Sequence, residues 1–205
     1  MKNSYNIPSV RLFQNINNPA INIPSIPLFA SLLDRLHNKI LDYIPSTSKS
    51  FGEIDSTFLV VIADDDSDDR VLFTEAIAEI CPKIKVQALD NGITLMQSLN
   101  DESGNLPDVI FLDINMPGKS GKECLKEIKN NKKFNQVLVV IYSTSGTEND
   151  ISDTYASGAN LYIRKPNTFS GIINVIKKVL TLDIDTFKIT PSKKSFLITP
   201  DFNLF

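Results

Sequence analysis

Cysteine and histidine are scarce in this chain: two cysteines, Cys81 and Cys124, and a single histidine, His37. The cysteines are far apart and fit no metal-ligand spacing, which excludes a disulfide framework and leaves two small core or surface residues of a reducing compartment. Net charge is also small. A formal charge of -3 over 205 residues, with a pI near 5.2, offers no bulk attraction for nucleic acid. Long hydrophobic runs are missing as well. No stretch approaches the ~18 apolar residues of a membrane span, and the opening MKNSYNIPSVRLFQNINNPAINIPSIP has no uninterrupted apolar segment of a secretory signal. The expected setting is therefore the cytoplasm, with no membrane span and no nucleic-acid partner.

With 42% hydrophobic and 22% charged residues, the chain can bury an ordinary core, and one domain with extensions is expected. Residues 1–27 are rich in Asn, Pro, Ser and Ile and keep no period, as in an irregular arm. Over 28–45, Leu28, Leu32, Leu36 and Ile40 recur at helical steps, so an amphipathic helix is predicted, with His37 as an ordinary member. Three roles are open to its apolar stripe: packing on the rest of the chain, self-association through 28–44, or binding a partner. Residues 46–56 read as a linker. From 57 to 182, short apolar runs (FLVVIA at 58, IKVQAL at 84, DVIFLD at 108, VLVVIY at 137, ANLYIR at 159) alternate with amphipathic segments. That alternation is the sequence form of a doubly wound α/β domain with five parallel strands and helices on both faces. The tail, 183–205, is too short for a helix-turn-helix or an enzymatic output domain, and reads as a docking peptide or a disordered end.

Ligands of such sheets bind beyond the carboxyl ends of the strands. There the chain places Asp64 and Asp65 after the first run, Asp113 after the third, Ser143 and Thr144 after the fourth, and Lys165 and Pro166 after the fifth. Clustered carboxylates repel one another, by about 4 kcal/mol per pair at ~4 Å and an effective dielectric near 20, and so call for a cation. Oxygen-only donors without neighbouring His or Cys favour a hard ion such as Mg²⁺, which readily takes a phosphoryl oxygen as a further ligand. With Lys165 as a second positive charge and Ser143 as a hydroxyl donor, the set suits phosphoryl transfer. Asp68 and Asp69, by contrast, read as acidic residues of a helix's first turn, placed there by its dipole.

The blocks VVIADDDSDDR, VIFLDINMPGKSG, VVIYSTSG and GANLYIRKP, in this order and at these separations, resemble the receiver domain of two-component response regulators. The resemblance implies a flavodoxin-like sheet of order 2-1-3-4-5 and a stand-alone receiver, phosphorylated on one aspartate by a histidine kinase or histidine phosphotransfer protein. It makes Asp113 the phosphorylated residue. It makes Asp65 a direct Mg²⁺ ligand, Asp64 a ligand through water, and the backbone carbonyl of Asn115 the last protein ligand. It assigns Ser143 as the switch hydroxyl, Lys165 as a phosphate contact, Pro166 as the turn residue after it, commonly through a cis bond, and Tyr162 as the aromatic whose orientation follows Ser143. Thr144 departs from the small residue usual there, and its bulk beside the phosphate bears on how long the phosphate survives.

On this reading the chain is a switch that binds a downstream protein target, not an enzyme. The alternatives are a phosphorylation-independent scaffold and a phosphatase of the haloacid dehalogenase type. The latter needs a second acid two residues beyond its nucleophile, where this chain has Asn115.

Overall fold

The computed structural model describes residues 58–181 and 196–198. The predicted arm, the 28–45 helix with His37, the 46–56 linker and most of the tail lie outside the described residues. In chain order the elements are β1 (Leu59–Ala63), α1 (Ser67–Ile80), β2 (Lys85–Leu89), α2 (Gly92–Asn100), β3 (Val109–Leu112), α3 (Gly121–Asn130), a 3₁₀ turn (Lys132–Phe134), β4 (Leu138–Ser143), α4 (Glu148–Ala156), β5 (Leu161–Arg164), α5 (Phe169–Thr181) and β6 (Leu197–Ile198).

The strands form one parallel sheet in the order β2-β1-β3-β4-β5-β6. Five strands in flavodoxin-like order were expected. The sixth is a correction: the tail, which by sequence reads as a docking peptide or a disordered end, pairs at Leu197 and Ile198 with Tyr162 and Ile163. Three apolar residues are too short to show a strand period, so only the free edge of β5 makes them one.

Side chains of a strand alternate between faces, and in β1, β3, β4 and β5 both faces are buried, which is why those strands read as continuous apolar runs, whereas β2 at the sheet's edge is exposed or half-buried throughout. Val60, Ile62, Phe111, Val140 and Ile163 enter the layer with Phe73 and Ile77 of α1 and Ile172, Ile176 and Val179 of α5. Val61, Ala63, Ile110, Leu112 and Ile141 face Leu95 of α2 and Leu125 and Ile128 of α3 in the other. Both cysteines are buried, and burial pushes the Cys124 thiol up to about 11. Among the described residues no helix is long and apolar enough to cross a membrane.

Register positions the strand ends. Ala63 aligns with Leu112, so Asp64 and Asp113 leave the sheet side by side, and Asp113 N donates to the carbonyl of Ala63 at 2.9 Å. α3 starts tight against this point. A Cβ at Gly121 would lie 2.0 Å from the Asp113 carbonyl oxygen, so only glycine admits the approach. Ser120 then starts the helix through a reciprocal capping box with Glu123.

Candidate functional site

Asp64 and Asp113 are buried, 1% and 5% exposed, and Asp65 stands on the rim beside them. One ligating oxygen from each of the three lies within 4.8 Å of the others. Their backbone settings differ. Asp64 Oδ1 accepts from the Asp66 amide at 3.1 Å, and the Asp64 carbonyl accepts from Arg70 Nη1 at 2.7 Å. Asp113 Oδ2 accepts from the Asn115 amide at 2.9 Å, which closes the turn after β3. Asp66 caps α1 by accepting from the amides of Asp68 and Asp69, so the acidic run after β1 divides into two site carboxylates and one cap.

Lys165 reaches back from the end of β5. Its ammonium lies 2.6 Å from Asp64 Oδ2, 2.7 Å from Asp69 Oδ2 and 3.9 Å from Asp113 Oδ1, over the ring of Tyr142 at 5.8 Å from the centroid. Burial works to lower its pKa, but the ion pairs with Asp64 and Asp69 prevail and hold the ammonium above the ordinary lysine value. Burial pushes the Asp64 carboxyl up, and the Lys165 contact opposes the rise. The two carboxylates thus keep Lys165 charged, while Asp64 remains incompletely compensated.

Two features fit a divalent cation. Asp64 Oδ2 is fully buried and makes no hydrogen bond; the approach of Lys165 is an ion pair without hydrogen-bond alignment. Asp64, Asp65, Asp69 and Asp113 also outnumber the one ammonium among them. A hard divalent cation, which takes oxygen donors only, satisfies both.

Ser143, fully buried, ends β4, and its carbonyl accepts from the Lys165 amide at 2.9 Å. Ser145 N donates to Ser143 Oγ at 3.4 Å, and Thr144 between them is exposed. Tyr162 is fully buried within β5, and its hydroxyl donates to the Ser145 carbonyl at 2.9 Å. It therefore meets the loop after β4 rather than the carboxylates. Ser145 also donates to Asp150 Oδ2, and Asp150 pairs with Lys122 of α3 at 2.7 Å. Pro166 follows Lys165 as expected, but the bond between them is trans, since no described peptide bond is cis. Lys165 reaches Asp64 from the trans turn.

Sequence reasoning missed the second partner of Lys165. Asp69 has a sufficient local reason to be acidic, the helix dipole, which hides a contact 96 positions away. Its place three residues after the cap was the available signal, because the first helical turn stands over the strand ends.

Residues 60–177 match the family model of the response regulator receiver domain. The chain is 26% identical over 132 residues to the response regulator Rcp1 of Synechocystis sp., covering 62% of this chain and 90% of the relative. It is 32% identical over 122 residues to the two-component response regulator ARR17 of Arabidopsis thaliana, covering 55% and 78%. Among solved structures, the phosphorylated cyanobacterial phytochrome response regulator RcpA superposes with a TM-score of 0.57 at 32% identity, over 60% of this chain and 90% of that one. The Mn²⁺-bound form of Rcp1 gives 0.57 at 25% identity, over 66% and 99%.

Proposed function

This chain belongs to the response regulator receiver domain family, and we propose that it is a switch driven by Mg²⁺-dependent phosphorylation of Asp113. The observation that carries the reading is the convergence of three ligating carboxylate oxygens within 4.8 Å, beside a buried lysine ammonium.

A carboxylate oxygen of Asp113 attacks the phosphorus of a phosphohistidine on a histidine kinase or histidine phosphotransfer protein. The P–N bond breaks, its electron pair returns to the imidazole, and Asp113 carries an acyl phosphate. Mg²⁺, held by Asp64, Asp65, Asp113 and the Asn115 carbonyl, would neutralise charge on the transferred group. Lys165 supplies the fixed positive charge, already protonated and in reach of Asp113. The Ser143 hydroxyl turns to donate to a phosphoryl oxygen, and Tyr162 reports that movement through Ser145. Thr144 narrows the approach of water to the acyl phosphate. Each donor encounter yields one modified chain rather than a stream of product, so the protein is a switch for a downstream protein target and not an enzyme.

The test is incubation of the full chain with Mg²⁺ and a small acyl-phosphate donor, read by intact mass. A single phosphoryl adduct is expected, absent from Asp113→Asn and from a chelator control. No adduct, under conditions that label an established receiver, would leave a scaffold that keeps the site without using it.

A further inference from the structure

We infer that the Lys129 amine, at the amino end of the sheet, is an acylation site for small acyl phosphates, whose acyl group it takes at the carbonyl carbon.

The geometry around Nζ suits an amine better than an ammonium. Lys129 lies in the last turn of α3, and its stem runs over Gly158, where a Cβ would lie 3.5 Å from Lys129 Cγ and 3.8 Å from its Cβ and Cδ. Nζ stands 2.7 Å from Asn160 Oδ1 and 3.3 Å from the Val137 carbonyl oxygen. Both acceptors are neutral, and residues 137–139 and 158–160, the segments that meet the side chain, hold no ionisable group. Charges on the adjoining helices do not supply a counter-ion. Lys126, Lys132 and Lys133 are basic, Glu123 caps α3, Glu127 pairs with Lys119, and Asp150 and Asp153 of α4 pair with Lys122. An ammonium has three protons to place and a neutral amine two. Two acceptors therefore satisfy the amine, and its lone pair takes the remaining direction.

Desolvation without a counter-charge brings Lys129 down to about 8. At pH 7.5 about a quarter of it is then neutral, against about one in a thousand for an ordinary lysine, and a neutral, desolvated lysine is a nucleophile. The residue is half-buried, which favours a small donor over one on a bulky carrier. No further reactant is needed. The Nζ lone pair attacks the carbonyl carbon, the bond from that carbon to the phosphate oxygen breaks, its electron pair leaves with phosphate, and phosphate takes the proton that the nitrogen loses. The amide formed has one N–H for two acceptors, so acylation also loosens the tie between α3 and the starts of β4 and β5. None of this depends on phosphorylation of Asp113.

The test treats the full chain, in chelator, with deuterated acetyl phosphate and reads acetyl occupancy at each lysine by peptide mass. At pH 7.5 Lys129 is expected to take label about fivefold faster than Lys126, exposed one turn away. Its rate should level off above pH 8.5, whereas that of Lys126 climbs through pH 9.5. Asn160→Asp keeps an acceptor for the Val139 amide and sets a carboxylate beside the amine; it should slow Lys129 about tenfold and leave Lys126 unchanged. Asp113→Asn should alter neither rate. Equal rates at Lys129 and Lys126, a Lys129 rate that climbs in step with Lys126, or wild-type labelling in a natively folded Asn160→Asp chain overturns the proposal; should that variant lose native circular dichroism, the wild-type pH profile decides. Label from an acetyl thioester but none from acetyl phosphate would overturn the choice of donor.

Discussion

The two ends of the sheet each hold a half-buried lysine, and the pKa values of the two lysines are shifted in opposite directions. At the carboxyl edge, Lys165 meets Asp64 and Asp69 and is held above the ordinary lysine value. At the amino edge, Lys129 of α3 donates to the carbonyl of Val137 at 3.3 Å and to Asn160 Oδ1 at 2.7 Å, and among the described residues no carboxylate pairs with it. Burial pulls it down to about 8. Neutral carbonyls orient an ammonium but do not repay its desolvation. The amino edge is thus tied by neutral hydrogen bonds, Asn160 Oδ1 also accepting from the Val139 amide, while the carboxyl edge is assembled around charge that a ligand must complete.

The largest effect that separates the edges is expected from Lys165→Met. It strands buried Asp64 opposite Asp113, and the loss of one partner of a buried pair costs several kcal/mol. Because Asp64 can take up a proton, urea unfolding in the presence of chelator should show a loss near the lower end, about 3 kcal/mol. An unchanged midpoint would mean that the ammonium is not what holds the carboxylates together.

At the other edge the probe is pH. Unfolded lysine keeps its proton to about 10.5 and folded Lys129 gives its own up near 8. Between those values the unfolded chain binds more protons, so Lys129 makes stability rise with pH across the window, by about 2 kcal/mol. Denaturant titrations at pH 8 and pH 10.5 should show that contribution in wild type and its absence in Lys129→Met. Identical pH dependence of the two chains would put Lys129 in water.

The smallest effect should come from Asp65→Asn. Relieving repulsion with Asp64 and Asp113 should raise stability in chelator by about 1 kcal/mol, because Asp65 is at the rim, where the effective dielectric is high. The same change should abolish the rise in melting temperature that Mg²⁺ gives the wild type. A variant still stabilised by Mg²⁺ would take Asp65 out of the ligand set.

Most of the fold and the main site residues were legible because each was written locally. Buried parallel strands such as DVIFLD must be continuous apolar runs, and the carboxylates and Lys165 stand directly after them. What escaped was defined by distant partners. Phe196–Ile198 becomes a strand only beside β5. Asp69 looks like a dipole residue until Lys165 arrives, and Lys129 sits in a helix of alternating charge, CLKEIK, where nothing local announces its burial beneath Val137 and Asn160. The trans bond at Pro166 belongs with these, since its isomer depends on surroundings that the dipeptide does not encode.

The central claim is that the charge collected at the carboxyl edge serves Asp113. The direct measurement is to phosphorylate the full chain with an acyl-phosphate donor and Mg²⁺, reduce it with borohydride and map the product by peptide mass. Reduction converts a phosphorylated aspartate to homoserine. Homoserine at position 113 alone is the predicted result; homoserine at Asp64, Asp65 or Asp69, or at none of the four in a chain that carries a phosphoryl adduct, would contradict the account.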